Sequence, residues 1–497
     1  MRHFERISTM RRTLASLAMA CSLALAGCNI DLTNPNNPTP GGALSNPRAA
    51  TSRMIVGVLA TYRDNEAVRI RAFGSFGRET YFMFITDGRF ITGPYRDWKQ
   101  NNAFEAGTQW GARYGNYRNA FEAMKIIDAT TALTDAEKSG ARGVLKTFIA
   151  LDMLHVIEAR GAIGAVVDMT DDANAVQPVV SQDSVYAWIS AKLDEAATDL
   201  AAAGTSFYFP LHSGFSAFGV AANTPAGFTQ FNRAIKARVE VDRGSLGCGA
   251  TCYNAALTAL TGTWIADLTA GNRDAGVYTV YSTAAGDALN TASFTGSRDF
   301  WVHPSIDSIA GVGADDRYHR KVDQATEFGG AGNDLCVTTD TVRSESGVTA
   351  RNRPCVYATN TTSIPIVRNE ELILLRAEAR WFAGNTAGAI TDLGLVRTNS
   401  GSTNGGTSAV AFAAPATADE FTTELLLQRT LSLFEEGMRW VDYRRFGRLA
   451  QLGTLPQDVA AGFTVATASV LPNQECDARS RVGATAPMSC PSGPAVP

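Results

Sequence analysis

Apolar side chains return along this chain at spacings of three and four residues, and that period constrains most of what it can fold into. Trp110, Tyr114, Tyr117, Phe121 and Met124 fall on one face of a helix, the stripe that a 3.6-residue turn produces. Thr134-Asp135-Ala136-Glu137 is a capping-box pattern. It opens a helix that carries Val144, Phe148, Leu151 and His155 on one stripe and stops at Gly161. Ser181 or Asp183 caps the next, with Val185, Trp188, Ile189, Leu193, Ala196 and Leu200 inward and Gly204 at its end. Further helices are predicted at 49–62, 226–243, 252–268, 368–383, 386–398 and 419–436, with 438–450 as a continuation of the last. Helix follows helix with no alternation of strands and no fixed repeat period, so the fold is mostly α and any stacking of helix pairs is degenerate. Two irregular tracts, 205–225 and 270–365, are rich in Gly, Thr, Ser and Asp; within the second, 277–281 and 364–367 read as short strands.

The N-terminus is a different kind of sequence. Arg11 and Arg12 precede an apolar run from Leu14 to Leu25, and the small residues Ala26 and Gly27 lead into Cys28. The run is too short to span a bilayer as a stable helix and reads as a secretory signal. A cysteine directly after Leu-Ala-Gly makes it similar to a bacterial lipoprotein signal, in which cleavage precedes the cysteine and the thiol is diacylated; the plainer alternative is an ordinary signal with a chance cysteine. Two or more acyl chains on one residue anchor stably where one is marginal. Residues 29–48 are rich in Pro, Asn and Gly and read as a tether reaching up to roughly 60 Å at about 3.1 Å per residue. The expected organisation is a signal over 1–27, a lipidated Cys28 with its tether over 28–48, and one domain over 49–497, with irregular excursions at about 70–105, 205–225 and 270–365.

With 44 basic against 48 acidic residues, the chain carries a net charge of −4, and loss of the signal would make it more acidic still. That is no electrostatic footprint for nucleic acid. No later apolar run reaches the roughly 18 residues of a membrane helix. Six cysteines follow Cys28 and fall into sequence-local pairs, Cys248 with Cys252, Cys336 with Cys355 and Cys476 with Cys490. An exported chain meets an oxidising compartment, so disulfides in that pairing are the expectation, although six cysteines admit 15 connectivities. Cys248 and Cys252 are half a zinc site with no second half at finger spacing.

Motifs of catalysis are missing. Gly214-Phe215-Ser216-Ala217-Phe218-Gly219 has one residue too many for a nucleophile elbow. His155, His212, His303 and His319 form no H-E-x-x-H pair, and there is no phosphate loop or dinucleotide fingerprint. The run Gly329 to Val337 matches one copy of the nonapeptide calcium repeat, but that motif shares each ion between stacked copies, and a lone copy is a glycine-rich turn. No catalytic residue, cofactor or metal ligand is therefore assigned. The loop aromatics carry more promise. Phe90, Tyr95 and Trp98 lie in a Gly/Pro-interrupted segment with Arg89; Phe300, Trp301, Tyr318 and the group Phe207-Tyr208-Phe209 lie in the other tracts. Aromatic faces stack on sugar rings while neighbouring polar groups bind hydroxyls; equally, such rings pin long loops to a helical body. The candidate ligand residues are Arg89, Tyr95, Trp98, Phe300, Trp301 and Tyr318.

The C-terminal third carries a family resemblance. Residues 366–400 place Arg368, Glu371, Leu374, Ala377, Glu378 and Ala379 in one helix and Ala389, Leu393, Val396 and Arg397 in the next, with Gly394 standing where asparagine is usual. Residues 424–448 read ELLLQRTLSLFEEGMRWVDYRRFGR, of which Glu435, Gly437, Arg439, Trp440, Asp442, Arg444 and Arg445 fit the pattern, while Arg429-Thr430-Leu431-Ser432 lacks the usual acidic residue. Leu471 to Glu475 gives a closing P-x-x-E. On these residues the chain resembles the SusD/RagB outer-membrane lipoproteins. The resemblance implies a scaffold of four degenerate tetratricopeptide-like helix pairs with long loops and a few short strands. It implies a non-enzymatic protein, lipid-anchored and exposed on the outer membrane, that captures a glycan or a peptide and passes it to a TonB-dependent, SusC-like transporter. A lipid-anchored hydrolase and a ligandless lid are the rivals. Arg439, Asp442 and Arg445 recur at i, i+3 and i+6, suited to ion pairs along one helix, with Trp440, Tyr443 and Phe446 inward.

Overall fold

The computed structural model describes residues 46–83, 109–172, 175–293, 299–323, 342–402, 412–490 and 493. Cys28, Arg89, Tyr95, Trp98, Cys336 and the run Gly329 to Val337 lie outside them. The chain divides into two units, Met1–Ala50 and Thr51–Pro497. Fourteen α-helices and eight short strands occur among the described residues, and no helix there is long and apolar enough to cross a membrane.

The scaffold is a succession of helices: α1 (Pro47–Phe76), α2 (Gly111–Ala129), α3 (Asp135–Arg160), α4 (Gln182–Ala201), α5 (Pro225–Arg243) and α6 (Ala250–Thr261). From α2 to α6 each packs on its successor. Short helices α7 (Pro304–Asp307) and α8 (Asp316–Lys321) precede the hairpin of α9 (Asn369–Phe382) and α10 (Thr386–Asn399), which joins the succession through α6. Then come α11 (Ala418–Ser432), α12 (Arg439–Arg445), α13 (Pro456–Ala460) and α14 (Asn473–Arg481). The central member is α3. Its residues from Val144 to Arg160 are buried almost without interruption, apart from Lys146, as expected of a helix covered by α2, α4 and α5 at once. Gly143 lets α4 approach: a Cβ there would lie 2.6 Å from Leu200 Cγ.

Local signals fix the helix ends. Thr134 accepts from the Glu137 amide at 3.3 Å while the Glu137 carboxylate accepts from the Thr134 amide at 2.9 Å, and Gly161 ends the helix at φ +51°. Ser181 caps α4, Thr224 caps α5 ahead of Pro225, and Thr417 with Glu420 forms a second capping box on α11.

Several predicted bounds need correction. The first helix runs past 62 to Phe76, so it takes in the start of the excursion expected from residue 70. The helix expected to 268 stops at Thr261, before Gly262. The expected continuous helix through 436 and 450 breaks after Ser432, because Glu435 (φ +59°) and Gly437 (φ +75°) turn the chain before α12 starts. The strands form two-stranded antiparallel pairs: β1 (Thr80–Phe82) with β3 (Phe300–Val302), β2 (Gly276–Thr279) with β8 (Ile364–Arg368), β4 (Val322–Asp323) with β7 (Arg353–Pro354), and β5 (Arg343–Glu345) with β6 (Val348–Ala350). Disulfides join Cys248 to Cys252 and Cys476 to Cys490, Cα atoms 5.7 and 5.5 Å apart. Cys355 is also disulfide-bonded.

Candidate functional site

Three of the expected ligand residues are described, and all three are buried. Phe300 and Trp301 belong to β3 and not to a loop; Trp301 pairs across the ladder with Tyr81 and Phe300 with Phe82. Trp301 is 2 % exposed, and the Arg353 guanidinium sits 4.8 Å over its ring. Phe300 stacks on Phe82 with centroids 4.6 Å apart. The Tyr318 hydroxyl donates to Asp307 at 2.5 Å and accepts from Asn352 at 3.0 Å. Rings so covered hold the β1–β3 pair onto the body and have no face left for a sugar. Phe207 and Phe209 likewise stack on each other, centroids 4.9 Å apart, and Phe207 packs against Phe228 of α5.

The signature residues of the C-terminal third form a buried ionic network. Arg368 donates to Glu436 at 2.7 and 3.1 Å and also pairs with Glu370. Arg238 of α5 binds both oxygens of Glu371, at 2.6 and 2.7 Å. Arg445 spans Glu378 of α9, one contact at 2.7 Å, and Asp442, at 2.9 and 3.0 Å; Asp442 accepts also from Arg429 at 2.7 Å. Of the ion pairs expected along one helix, Arg445–Asp442 forms, and pairs between helices extend it. Arg439 makes none with Asp442; it donates to the carbonyl oxygens of Gly77 (3.0 Å) and Arg78. The Trp440 indole is fully buried and donates to the Ala466 carbonyl at 2.7 Å, whereas Tyr443 and Phe446 are only half-buried. Burial pushes the Glu370 carboxyl up, but Arg368 and Lys321 outweigh it and hold the group at about 2; Asp242, less well compensated by Arg445, is pushed up to about 8 by burial. Charges this deeply covered clamp elements together.

One constellation has the residue types of a hydrolase. His303 Nδ1 lies 2.8 Å from Ser305 Oγ and His303 Nε2 lies 2.9 Å from Asp458. The ring is fully buried, and Nδ1 also accepts from the Ser305 amide at 3.1 Å, which makes the imidazole the N-cap of α7. Burial pushes its pKa down to about 4. The group fastens α7 to α13. Among the described residues no cluster of three or more His, Cys, Asp or Glu is placed to hold a metal.

A cleft of ≈570 Å³ lies where α2, α14 and the extended segment after α3 meet, within the range typical of ligand sites. Trp110, Tyr114 and Arg118 line it from one face of α2, at i, i+4 and i+8. The Trp110 and Tyr114 rings lie 4.7 Å apart, and the Tyr114 hydroxyl donates to the Val166 carbonyl at 2.8 Å while accepting from the Val166 amide at 2.9 Å. Opposite stand Glu475 and Arg479 of α14, joined at 2.6 Å, with Trp110 Nε1 donating to Glu475 at 3.3 Å. Arg118 donates to the Thr170 carbonyl at 2.6 Å; Asp168 and Gln177 complete the rim. The sequence puts Trp110 and Tyr114 on one face of a helix and does not single out Arg118, Gln177 or Arg479. The i, i+4 spacing of Glu475 and Arg479 was the available signal.

Residues 310–478 match the sequence profile of the SusD family. No curated protein matches the chain in sequence. Among solved structures, a SusD superfamily protein of Bacteroides vulgatus superposes with a TM-score of 0.62 at 13% identity, over 87% of this chain and 97% of its own. A SusD homologue of Bacteroides thetaiotaomicron gives 0.61 at 12% identity, over 87% and 95%. A laminarin-binding SusD-like protein gives 0.55 at 15% identity, over 87% and 97%. At such identities the likeness is one of fold, and it spans the helical succession that precedes the matched profile. The matched profile takes in Arg368, Glu371, Glu378, Glu436 and Arg445, whose buried ion pairs join its elements: over residues 310–478 the chain matches the SusD family, and its fold is SusD-like.

Proposed function

We propose that this chain is a lipid-anchored binding protein of the cell surface, which captures an oligosaccharide and passes it to a TonB-dependent, SusC-like transporter in the outer membrane. The observation that carries the reading is the family fold, shared over most of the chain with a protein that binds laminarin. The sequence around Cys28 supports the anchor, and the Pro/Asn-rich residues after it support a standoff from the membrane. Capture without catalysis is in keeping with a His303 ring that is fully buried and works as a helix cap between Ser305 and Asp458.

The test is calorimetric titration of the purified mature chain with laminarin oligosaccharides, other neutral oligosaccharides and a peptide panel, with product analysis of each mixture. Saturable binding of a glycan without turnover is expected. Binding confined to peptides would replace the ligand class, and turnover would make the protein an enzyme.

A further inference from the structure

We infer that the groove between the N-terminus of α4 and α12 is a subsite for a uronic acid ring, whose carboxylate Arg444 and Tyr186 receive; this rests on the glycan reading above and deepens it by naming residues and ligand chemistry. Two hollows of ≈220 and ≈310 Å³ adjoin there, with Ala162, Gln182, Tyr186 and Leu246 lining both. Gln182 and Tyr186 stand at i and i+4 on one face of α4. Leu246 belongs to a π-helical turn, Gly244–Cys248, between α5 and α6, which the Cys248–Cys252 disulfide ties down; such turns recur at functional sites. Three polar groups converge on this groove with donors unused. Tyr186 is 1 % exposed, and that exposure lies at its hydroxyl, which has no hydrogen-bond partner among the described residues. The half-buried Gln182 amide has none there either. The half-buried Arg444 guanidinium donates through its terminal nitrogens to the Thr467 carbonyl, at 3.2 Å, and to the Glu158 carbonyl, while its Nε–H is neither enclosed nor bonded.

Charge selects the ligand class. Both of Arg444's bonds go to neutral carbonyls, and among the described residues it has no carboxylate partner. The neighbouring cations are already paired, Arg445 with Glu378 and Asp442, Arg243 with Glu240. Asp242 and Glu158, the carboxyls whose charge reaches Arg444, are pushed up by burial to about 8 and about 7, so neither is a full counter-charge at neutral pH. One guanidinium without a counter-ion, beside two neutral donors and a helix N-terminus, matches one monoanionic group. The exposed Asp183 lines only the hollow that Arg444 does not, where its oxygens accept from ring hydroxyls. Leu246, 37 % exposed, offers an apolar surface to the ring carbons.

Calorimetric titration of the mature chain with oligogalacturonides and oligoglucuronides should show saturable binding. Tyr186→Phe removes one hydroxyl that has no partner in the chain, so its Tm should match that of the unaltered protein while its Kd for the uronates weakens by about tenfold or more, the loss of one hydrogen bond to a charged group. Arg444→Gln, checked for folding by thermal unfolding, should bind uronates no more tightly than neutral oligosaccharides of the same length. A further readout needs no substitution: the uronates should slow amide exchange in residues 181–186 and 244–248 of the unaltered chain. Binding of neutral glycans but not uronates, or uronate binding that Tyr186→Phe leaves within twofold and that protects neither segment, overturns this site and leaves the glycan reading standing. Protection of these segments by sulfated oligosaccharides alone overturns the carboxylate as the recognised group. If no glycan binds at all, the functional reading falls, and this placement falls with it.

Discussion

Replacing Arg445 tests how the family signature acts. Its side chain is 2 % exposed, and it lies against Glu378 (0 %) and Asp442 (4 %). Arg445→Met keeps most of the volume and leaves two buried carboxylates without their shared counter-ion, with Arg429 still on Asp442. Breaking such a pair from one side costs about 3–5 kcal/mol. For a folded body of roughly 450 residues, an unfolding entropy of about 2.1 cal/mol/K per residue converts this into a Tm lower by about 3–5 °C. Glu378→Leu in the same background removes the stranded charge, and the double variant should be more stable than Arg445→Met alone. Urea and thermal unfolding followed by circular dichroism measure all of this. Additive costs in the double variant, or a Tm change under 1 °C in Arg445→Met, would refute the clamp.

Other consequences follow from single groups. Burial pushes the Glu79 carboxyl, which faces Glu435, Glu436, Arg439 and Lys321, up from 4.5 to about 8. Its stabilising contribution is thus full below about pH 4.5 and lost as pH rises through about 8, with a slope up to about 1.4 kcal/mol per pH unit; Glu79→Gln should flatten stability between pH 5 and 8, and an unchanged profile contradicts the assignment. His303 works oppositely: burial pushes it from 6.5 down to about 4, so its contribution holds above 6.5 and is lost as pH falls through 4. Gly164 has φ +82° and a Cβ there would lie 2.0 Å from the Val180 carbonyl oxygen, so Gly164→Ala should displace the Ala165–Val180 bridge and lower the Tm, read by thermal unfolding. Replacing Cys476 and Cys490 together by serine opens a 14-residue separation and should cost about 3 kcal/mol in urea unfolding.

The helices were largely legible because their signals are local. Thr134 with Glu137, Ser181 and the stripe Val185–Ile189–Leu193–Ala196–Leu200 state their structure within a few residues, and the structure places them so. What depends on distant partners was not. Phe300 and Trp301 look like loop aromatics until Tyr81 and Phe82, more than 200 residues away, pair with them. The break at Glu435 is hidden because the residue favours a helix on its own; the turn is held by its amide on Glu79 and by its carbonyl on the Tyr357 hydroxyl at 2.8 Å. Arg445 carried a readable charge pattern, but its spacing to Asp442 said nothing of Glu378, 67 positions earlier. Trp110 and Tyr114 were read correctly as one face; that this face also floors a cleft depends on α14 arriving from the far end of the chain.

The central claim is surface capture on behalf of a transporter, and uptake of a labelled glycan identified by titration tests it most directly. Cells lacking the chain should lose uptake, regain it with the unaltered protein, and fail to regain it with Cys28→Ala, which cannot be lipidated. Uptake that persists without the chain, or that Cys28→Ala restores in full, would contradict the account.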